Sequence, residues 1–221
     1  MPKKNDVVVI GAGVAGLAAA ARLAESRCSV TMLEARDRIG GRIYTRRDPT
    51  SDLAIELGAE FIHGEPPEIL DPLRGANVAI REFGGVNWCS SGDQIRIRDF
   101  FDLIDGVLQK MDDSLPDESF GDFLRRCCPK NDSKAVEARE RSLAYVSGFN
   151  AADPELVGVH WLVNGMRAEE RIGGHKSFHP AGGYASLIEI LEGSAKRHGV
   201  AIQTGAVAKA ITWKPGWAEI H

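Results

Sequence analysis

No long block of one charge sign, no low-complexity linker and no internal repeat interrupts this 221-residue sequence. Those absences speak against a disordered tail or a polyanion-binding arm. Cysteine is scarce. Cys28, Cys89, Cys127 and Cys128 form no CxxC pair and have no histidine at metal-ligand spacing, so neither a zinc site nor a disulfide framework is supported. No metal is expected, and a reducing cytosol fits best. Acidic and basic residues alternate, as in RDRIGGRIYTRRD, within a formal net charge of -4. The charge clusters read as solvated faces, and neither nucleic acid nor membrane is implied as a partner. Near the N-terminus, Lys3 and Lys4 precede the apolar run Val7 to Ala21 and imitate a secretory leader. That run instead holds three glycines, Gly11, Gly13 and Gly16, within the best-defined strand and helix of the chain, so it is read as part of the fold.

Val7-Val8-Val9-Ile10 is a short β-branched run suited to a central parallel strand buried on both faces. A turn over Gly11 to Gly16 comes next, and VAGLAAAARLAES, from Val14 to Ser26, has helical composition with small residues where a helix lies close to a sheet. Cys28 to Leu33 returns as a second strand, completing a βαβ unit. A glycine-rich loop at Ile39 to Arg42 and an apolar segment at Leu53 to Ile62 come after it. The middle of the chain predicts a hairpin around Ser90 to Asp93, then helices at 99–111, 120–126, 135–149 and 155–164. After Gly182-Gly183 the pattern becomes helix from Tyr184 to Arg197, strands at Val200 to Gln203 and Val207 to Trp213, a turn at Lys214 to Gly216, and a last strand from Trp217.

Gly11-x-Gly13-x-x-Gly16 gains its meaning from this setting. The first glycine permits the tight turn, the second lets backbone approach a pyrophosphate, and the third lets helix pack on strand. The N–H groups of Val14, Ala15 and Gly16 at the positive end of the helix would then face phosphates. Glu34 closes the second strand where an acidic residue accepts hydrogen bonds from an adenosine ribose, and its charge would repel the 2′-phosphate of NADP. The plain alternative is a helix that merely packs closely through glycine and alanine.

NAD and FAD share that fingerprint, and two motifs further along the chain decide between them. Glu34-Ala35-Arg36-Asp37-Arg38-Ile39-Gly40-Gly41-Arg42 and Glu56-Leu57-Gly58-Ala59-Glu60-Phe61-Ile62-His63-Gly64 resemble the flavin-containing amine oxidase family, which includes monoamine and polyamine oxidases. Protoporphyrinogen oxidases and carotenoid desaturases share the first motif more closely than the second. The resemblance implies FAD, with Glu34 on the ribose and Ala35 beside it. It further implies Arg36 and Arg42 near the pyrophosphate, Gly40 and Gly41 in a loop wrapping the cofactor, and Gly58, Ala59, Glu60 and Phe61 along the isoalloxazine ring. A pair of surface arginines is the other reading of Arg36 and Arg42. Pro180 to Leu187 resembles the family's return into its FAD domain, and Val207 matches a position whose backbone contacts adenine. By composition alone Val207 is a strand residue in a core. The implied fold is α/β: a Rossmann-like FAD-binding domain in two parts, 1–64 and 177–221, around a mainly helical substrate-domain insertion at 65–176.

The activity implied by the resemblance is oxidation of a small-molecule amine, polyamine or monoamine, by hydride transfer to flavin, with dioxygen as the usual acceptor. No cysteine lies in a recognisable flavin-linking motif. His63 could hydrogen-bond or deprotonate the amine, or be a structural histidine. Glu60 is a second candidate for attracting a cationic amine, and His175 and His179 form no triad or metal set. The family's later half, with a water-linked lysine and a segment closing over the cofactor, has no counterpart in the sequence. A shortened form of an enzyme is therefore expected. The sequence leaves open a dinucleotide-binding remnant without turnover, an enzyme acting on carbon frameworks, and the oligomeric state.

Overall fold

The computed structural model describes residues 5–51, 53–85, 88–91, 94–97, 102–128 and 133–221, and they divide into two compact units. The first unit opens with β1 (Val7–Ile10), α1 (Val14–Glu25), β2 (Val30–Leu33), β3 (Thr45–Arg47) and β4 (Ala54–Glu56). It continues through β5 (Ile62–His63), α2 (Pro67–Gly75) and β6 (Ile80–Phe83). The second unit, Gly84–His175, holds β7 (Trp88–Ser91), β8 (Gln94–Ile97), α3 (Asp102–Leu108), α4 (Phe120–Cys127), α5 (Ser133–Gly148) and α6 (Val159–Arg171). The chain then rejoins the first unit as β9 (Ser177–Pro180), α7 (Ala185–Arg197), β10 (Ala201–Gln203), β11 (Ile211–Lys214) and β12 (Trp217–Ile220).

The expected βαβ unit is present, with a different strand at its centre. β1 and β10 both pair in parallel with β2, giving the order β1-β2-β10. β2 is therefore the buried strand, whereas Val7 to Val9 are half-buried and Ile10 is exposed. Strand pairing on two sides, and not apolar content alone, decides which run is central. α1 presents Leu17, Ala20, Ala21 and Ala24 to the core, where Met32, Leu187, Ile188 and Ala195 meet them. The alanines let α1 and α7 lie close. Gly16 lies against the turn that precedes α1: a Cβ there would fall 2.0 Å from Gly11 O.

Two elements have no clear local signal in the sequence. α2 begins at Pro67 and contains Pro72, residues that disguise a helix although Leu70 and Leu73 bury its inner face. The antiparallel sheet β5-β9-β6 joins segments that lie far apart in sequence, with Ile62 opposite Phe178 and Glu82 opposite that same residue. These contacts keep residues 65–83 with the first unit, so the compact unit closes at Phe83 and not where the sequence changes texture at 65.

The second unit has its own core of Ile104, Val107, Phe120, Phe123, Leu124, Val146 and Leu162. Ser119 caps α4 by accepting the Asp122 N–H at 3.1 Å. α6 starts at Val159, not 155, because Gly158 is its extended N-cap and residues 153–157 make a turn closed by Leu156 and Val157 N–H bonds to Asp153 O. β7 and β8 form the expected hairpin, whose turn residues Gly92 and Asp93 lie outside the described set, as do 99–101 of the first expected helix. No helix among the described residues is long and apolar enough to cross a membrane.

Gly16→Ala should destabilise the first unit by about 1–3 kcal/mol or more, because the displaced atom is backbone carbonyl and cannot rotate away. Chemical denaturation followed by far-UV dichroism measures this; an unchanged midpoint would show that α1 shifts without cost.

Candidate functional site

Two glycine-rich segments meet where β1 and β2 end. Gly11 N–H donates to Leu33 O at 2.7 Å, so the turn is pinned to the end of the second strand. Gly13 is the N-cap of α1, with no side-chain cap bond and no acidic residue in the first turn, which Val14, Ala15 and Gly16 form. Positive helix potential is thus left unanswered by protein carboxylates in that turn, which suits an anion. The 36–43 loop closes on it: Gly40 N–H donates to Ala12 O at 2.8 Å, Gly13 and Gly40 form a parallel bridge, and a Cβ on Gly13 would lie 3.8 Å from Gly41 Cα.

Arginines hold the loop. Arg36 Nη1 donates to Gly41 O at 3.1 Å. Arg38, to which the sequence pattern assigns no role, donates to Ile39 O, Gly41 O and Ile43 O at 3.2–3.3 Å, and its guanidinium lies 4.2 Å from the centre of the Tyr44 ring. Arg42 is exposed, and its carbonyl accepts the Ala59 N–H at 3.0 Å.

Glu34 is buried, with 7% exposure. Its Oε2 accepts the Ala12 N–H at 2.8 Å and its Oε1 the Arg36 N–H at 2.9 Å. The Arg36 and then the Ala12 backbone donors hold its pKa below the ordinary 4.5 against the opposing effect of burial, and the Arg36 and Arg38 guanidiniums add attraction. A carboxylate offers about four lone-pair directions, so about two remain for ligand hydroxyls. Ala35 comes next, and the Ala206 N–H returns to Glu34 O at 2.8 Å, placing Val207 next to the site. Val207 is neither in a strand nor in a core. It precedes β11 and is 57% exposed, because the 204–206 turn is tied to Glu34 and Arg36 and carries the chain outward.

The second motif runs from β4 to β5. Leu57 N–H donates to Tyr44 O at 2.8 Å, and Gly58 and Ala59 pack against Arg42 O. Phe61 meets Phe83 and His179, with ring centres 5.4 Å and 4.6 Å away, and lies 6.2 Å from the ring of His63. His63 is exposed on β5, opposite Ser177. Glu60 Oε1 is 4.0 Å from His179 Nε2, an atom that is buried without a hydrogen bond. His179 is thus a neighbour of the motif that the sequence alone does not single out; the strand pairing of β9 with β5 and β6 that brings it there has no local signal.

A cavity of about 470 Å³ lies beside this arrangement, between the 37–45 loop and α7. Its lining lacks Gly11, Gly13 and Glu34, so it is not the glycine cradle.

A family model described as flavin containing amine oxidoreductase matches residues 14–221. The chain belongs to that family. The chain is 43% identical over 97 residues to probable polyamine oxidase 4 of Arabidopsis thaliana, a stretch covering 42% of the chain and 18% of the plant protein. A triple mutant of putrescine oxidase has the same fold, with a TM-score of 0.71 at 20% identity over 98% of this chain and 54% of that one. A provisionally assigned protoporphyrinogen oxidase of Exiguobacterium gives 0.65 at 22%, covering 97% of this chain and 55% of its own. The chain spans about half the length of these solved relatives.

Membership implies a flavin, and the residues fit one: the loop backbone at Gly41 packs on Gly13 with no side chain on either, the α1 end suits phosphate, and Glu34 keeps acceptor capacity. Because the folded-state pKa of Glu34 lies below its ordinary value of 4.5, its stabilisation is complete above pH 4.5 and is lost as pH falls through the folded value. Glu34→Gln sets an amide NH₂ against a backbone donor and should cost about 1–3 kcal/mol at neutral pH. Its urea midpoint should fall less steeply below pH 4.5 than that of the native protein. Parallel pH profiles would disprove the role of the carboxylate.

Proposed function

We propose that the chain supplies the adenosine- and diphosphate-binding half, and the ring-facing segment, of an FAD-dependent oxidoreductase acting on a small amine with dioxygen as acceptor. The observation that carries this reading is the buried Glu34 carboxylate beside the uncapped N-terminus of α1. Backbone at Gly11, Gly13, Val14, Ala15 and Gly16 takes the diphosphate. Glu34 takes the ribose, with Ala35 beside it. Arg36 and Arg42 supply charge, Gly40 and Gly41 let the loop close, and Val207 offers backbone to adenine.

A flavin held by these residues would supply the acceptor for a hydride from the carbon next to the amine nitrogen. The protein's part is to orient that carbon, exclude water and keep the amine neutral, for which neither a nucleophile nor a metal is needed. Gly58, Ala59, Glu60 and Phe61 line the ring, and His63 takes or shares the amine's proton. The 43% identity to a polyamine oxidase over 97 residues favours an amine; the fold shared with a porphyrinogen oxidase at 22% identity keeps a carbon-framework substrate as the second reading. Anaerobic mixing of the flavin-loaded full-length protein with polyamines, monoamines and a porphyrinogen separates them by which one bleaches the flavin.

Glu34→Ala should weaken FAD binding by about tenfold to a hundredfold, with NADP binding more weakly than FAD throughout. Equal FAD affinity in an equilibrium titration would remove Glu34 from the site. His63→Asn should retain flavin, yet slow the reductive half-reaction or shift its pH profile, because a titratable group is replaced by a neutral one. Stopped-flow flavin bleaching across pH reads both; lost flavin would make His63 structural, and an unaltered rate and profile would make it a bystander.

A further inference from the structure

Tyr184 is the N-cap of helix α7 and gives it no side-chain cap bond. Its cap comes from 128 residues earlier in the chain: Tyr184 N–H donates to Glu56 Oε1 at 2.7 Å. The same carboxylate accepts, through Oε2, the Thr45 hydroxyl at 2.7 Å, and Thr45 Oγ1 in turn accepts the Ala185 N–H at 2.9 Å. Two orphan donors of the helix are thus satisfied by one acid and one hydroxyl.

The sheet register makes this possible. Thr45 pairs with Glu56 and Arg47 with Ala54 across β3 and β4, so alternate side chains of the hairpin share one face. That face reads the turn into α7. Arg47 Nη2 donates to Gly182 O at 3.1 Å. Gly183, at φ +93°, is pressed so close that a Cβ would lie 2.6 Å from Thr45 Cγ2, 2.8 Å from Glu56 Oε1 and 2.9 Å from Ala54 Cβ. Directly after Glu56 the chain enters the 57–61 turn, whose Leu57 and Ala59 amides are bound to Tyr44 O and Arg42 O.

We propose that Glu56 is a positioning residue: by clamping β3 and β4 to the N-terminus of α7 it fixes where the 57–61 turn stands relative to the cofactor. This rests on the proposed placement of residues 58–61 against the flavin ring. The effect is geometric and does not require a negative charge. A glutamine can still accept from Tyr184 N–H and can donate its amide to Thr45 Oγ1, so Glu56→Gln should preserve the clamp while Glu56→Ala destroys it.

Amide hydrogen exchange and the visible flavin absorption of the flavin-loaded full-length protein test this together. Glu56→Ala should speed exchange at Tyr184 and Ala185, and also at Leu57 and Ala59, by about tenfold, and should alter the flavin spectrum. Glu56→Gln should return all of these toward native values, and Thr45→Val should move them in the same direction as Glu56→Ala by less. Ser186→Ala removes a hydroxyl bond to Gly183 O of 2.8 Å and so loosens the same helix end without touching β4; it should leave Leu57, Ala59 and the spectrum unchanged. The proposal is overturned if Glu56→Ala frees only the helix amides, or if Ser186→Ala reproduces the full pattern. Where Glu56→Ala is insoluble, Thr45→Val decides, and unchanged exchange at Leu57 and Ala59 overturns the clamp. A native protein that takes up no flavin overturns the cofactor reading and this inference with it, whereas loaded variants with native spectra overturn this inference alone.

Discussion

The carboxylate of Glu34 is the knot on which the first unit depends. Its two oxygens bind the backbone of the β1–α1 turn at Ala12 and of the β2 exit at Arg36, while its own N–H donates to Gln203 O at the end of β10. Three chain segments that leave the parallel sheet at the same end are thereby fixed to one residue. A buried carboxylate is tolerated when each oxygen accepts a hydrogen bond, and here the donors are backbone groups that cannot rotate away. The glycine loop depends on this knot, since Gly40 N–H binds Ala12 O, the carbonyl of the same residue whose N–H holds Glu34.

Charge around the knot is arranged on two levels. Arg36 and Arg38 direct their donors largely to loop carbonyls, above all to Gly41 O, and so give the loop its shape as well as a positive field. The α1 terminus adds a fixed dipole with no acidic residue in its first turn. An anion arriving there meets donors already in place, which reduces the cost of ordering the protein on binding.

What the sequence made legible was what is local. The β1 run, the glycine turn, α1, β2 and Glu34 are all set by spacing within the first thirty-four residues, and the structure places them as expected apart from the central strand. Illegible were the features whose partner lies far along the chain. Glu56 reads as one acid in a motif until Tyr184 is brought to it, and β5, only two residues long, is a strand because Ser177 and Phe178 lie opposite. Val207 misled for a related reason: its apolar side chain suggested a core, but the preceding turn is tied to Glu34 and Arg36. Proline hid α2 by a local rule that its tertiary burial overrides.

These two kinds of residue divide the work in a way that suits chemistry carried by a cofactor. Local motifs can bind an invariant shape such as a diphosphate, because backbone N–H groups at a turn need no distant help. The segment proposed to face a reacting ring must be held to finer tolerance, since a displacement of about an ångström at the reacting carbon can cost about a hundredfold in rate. In this chain that segment is held at both ends by long-range ties: Glu56 fastens its start to α7, and the β5–β9 pairing with the Phe61, Phe83 and His179 rings fastens its end. His63 sits within the second tie, so its position is set by the pairing of β5 with β9 and not by its own neighbours in sequence. A histidine on a free loop can stand in many places; one on a strand so anchored has its backbone fixed by the pairing.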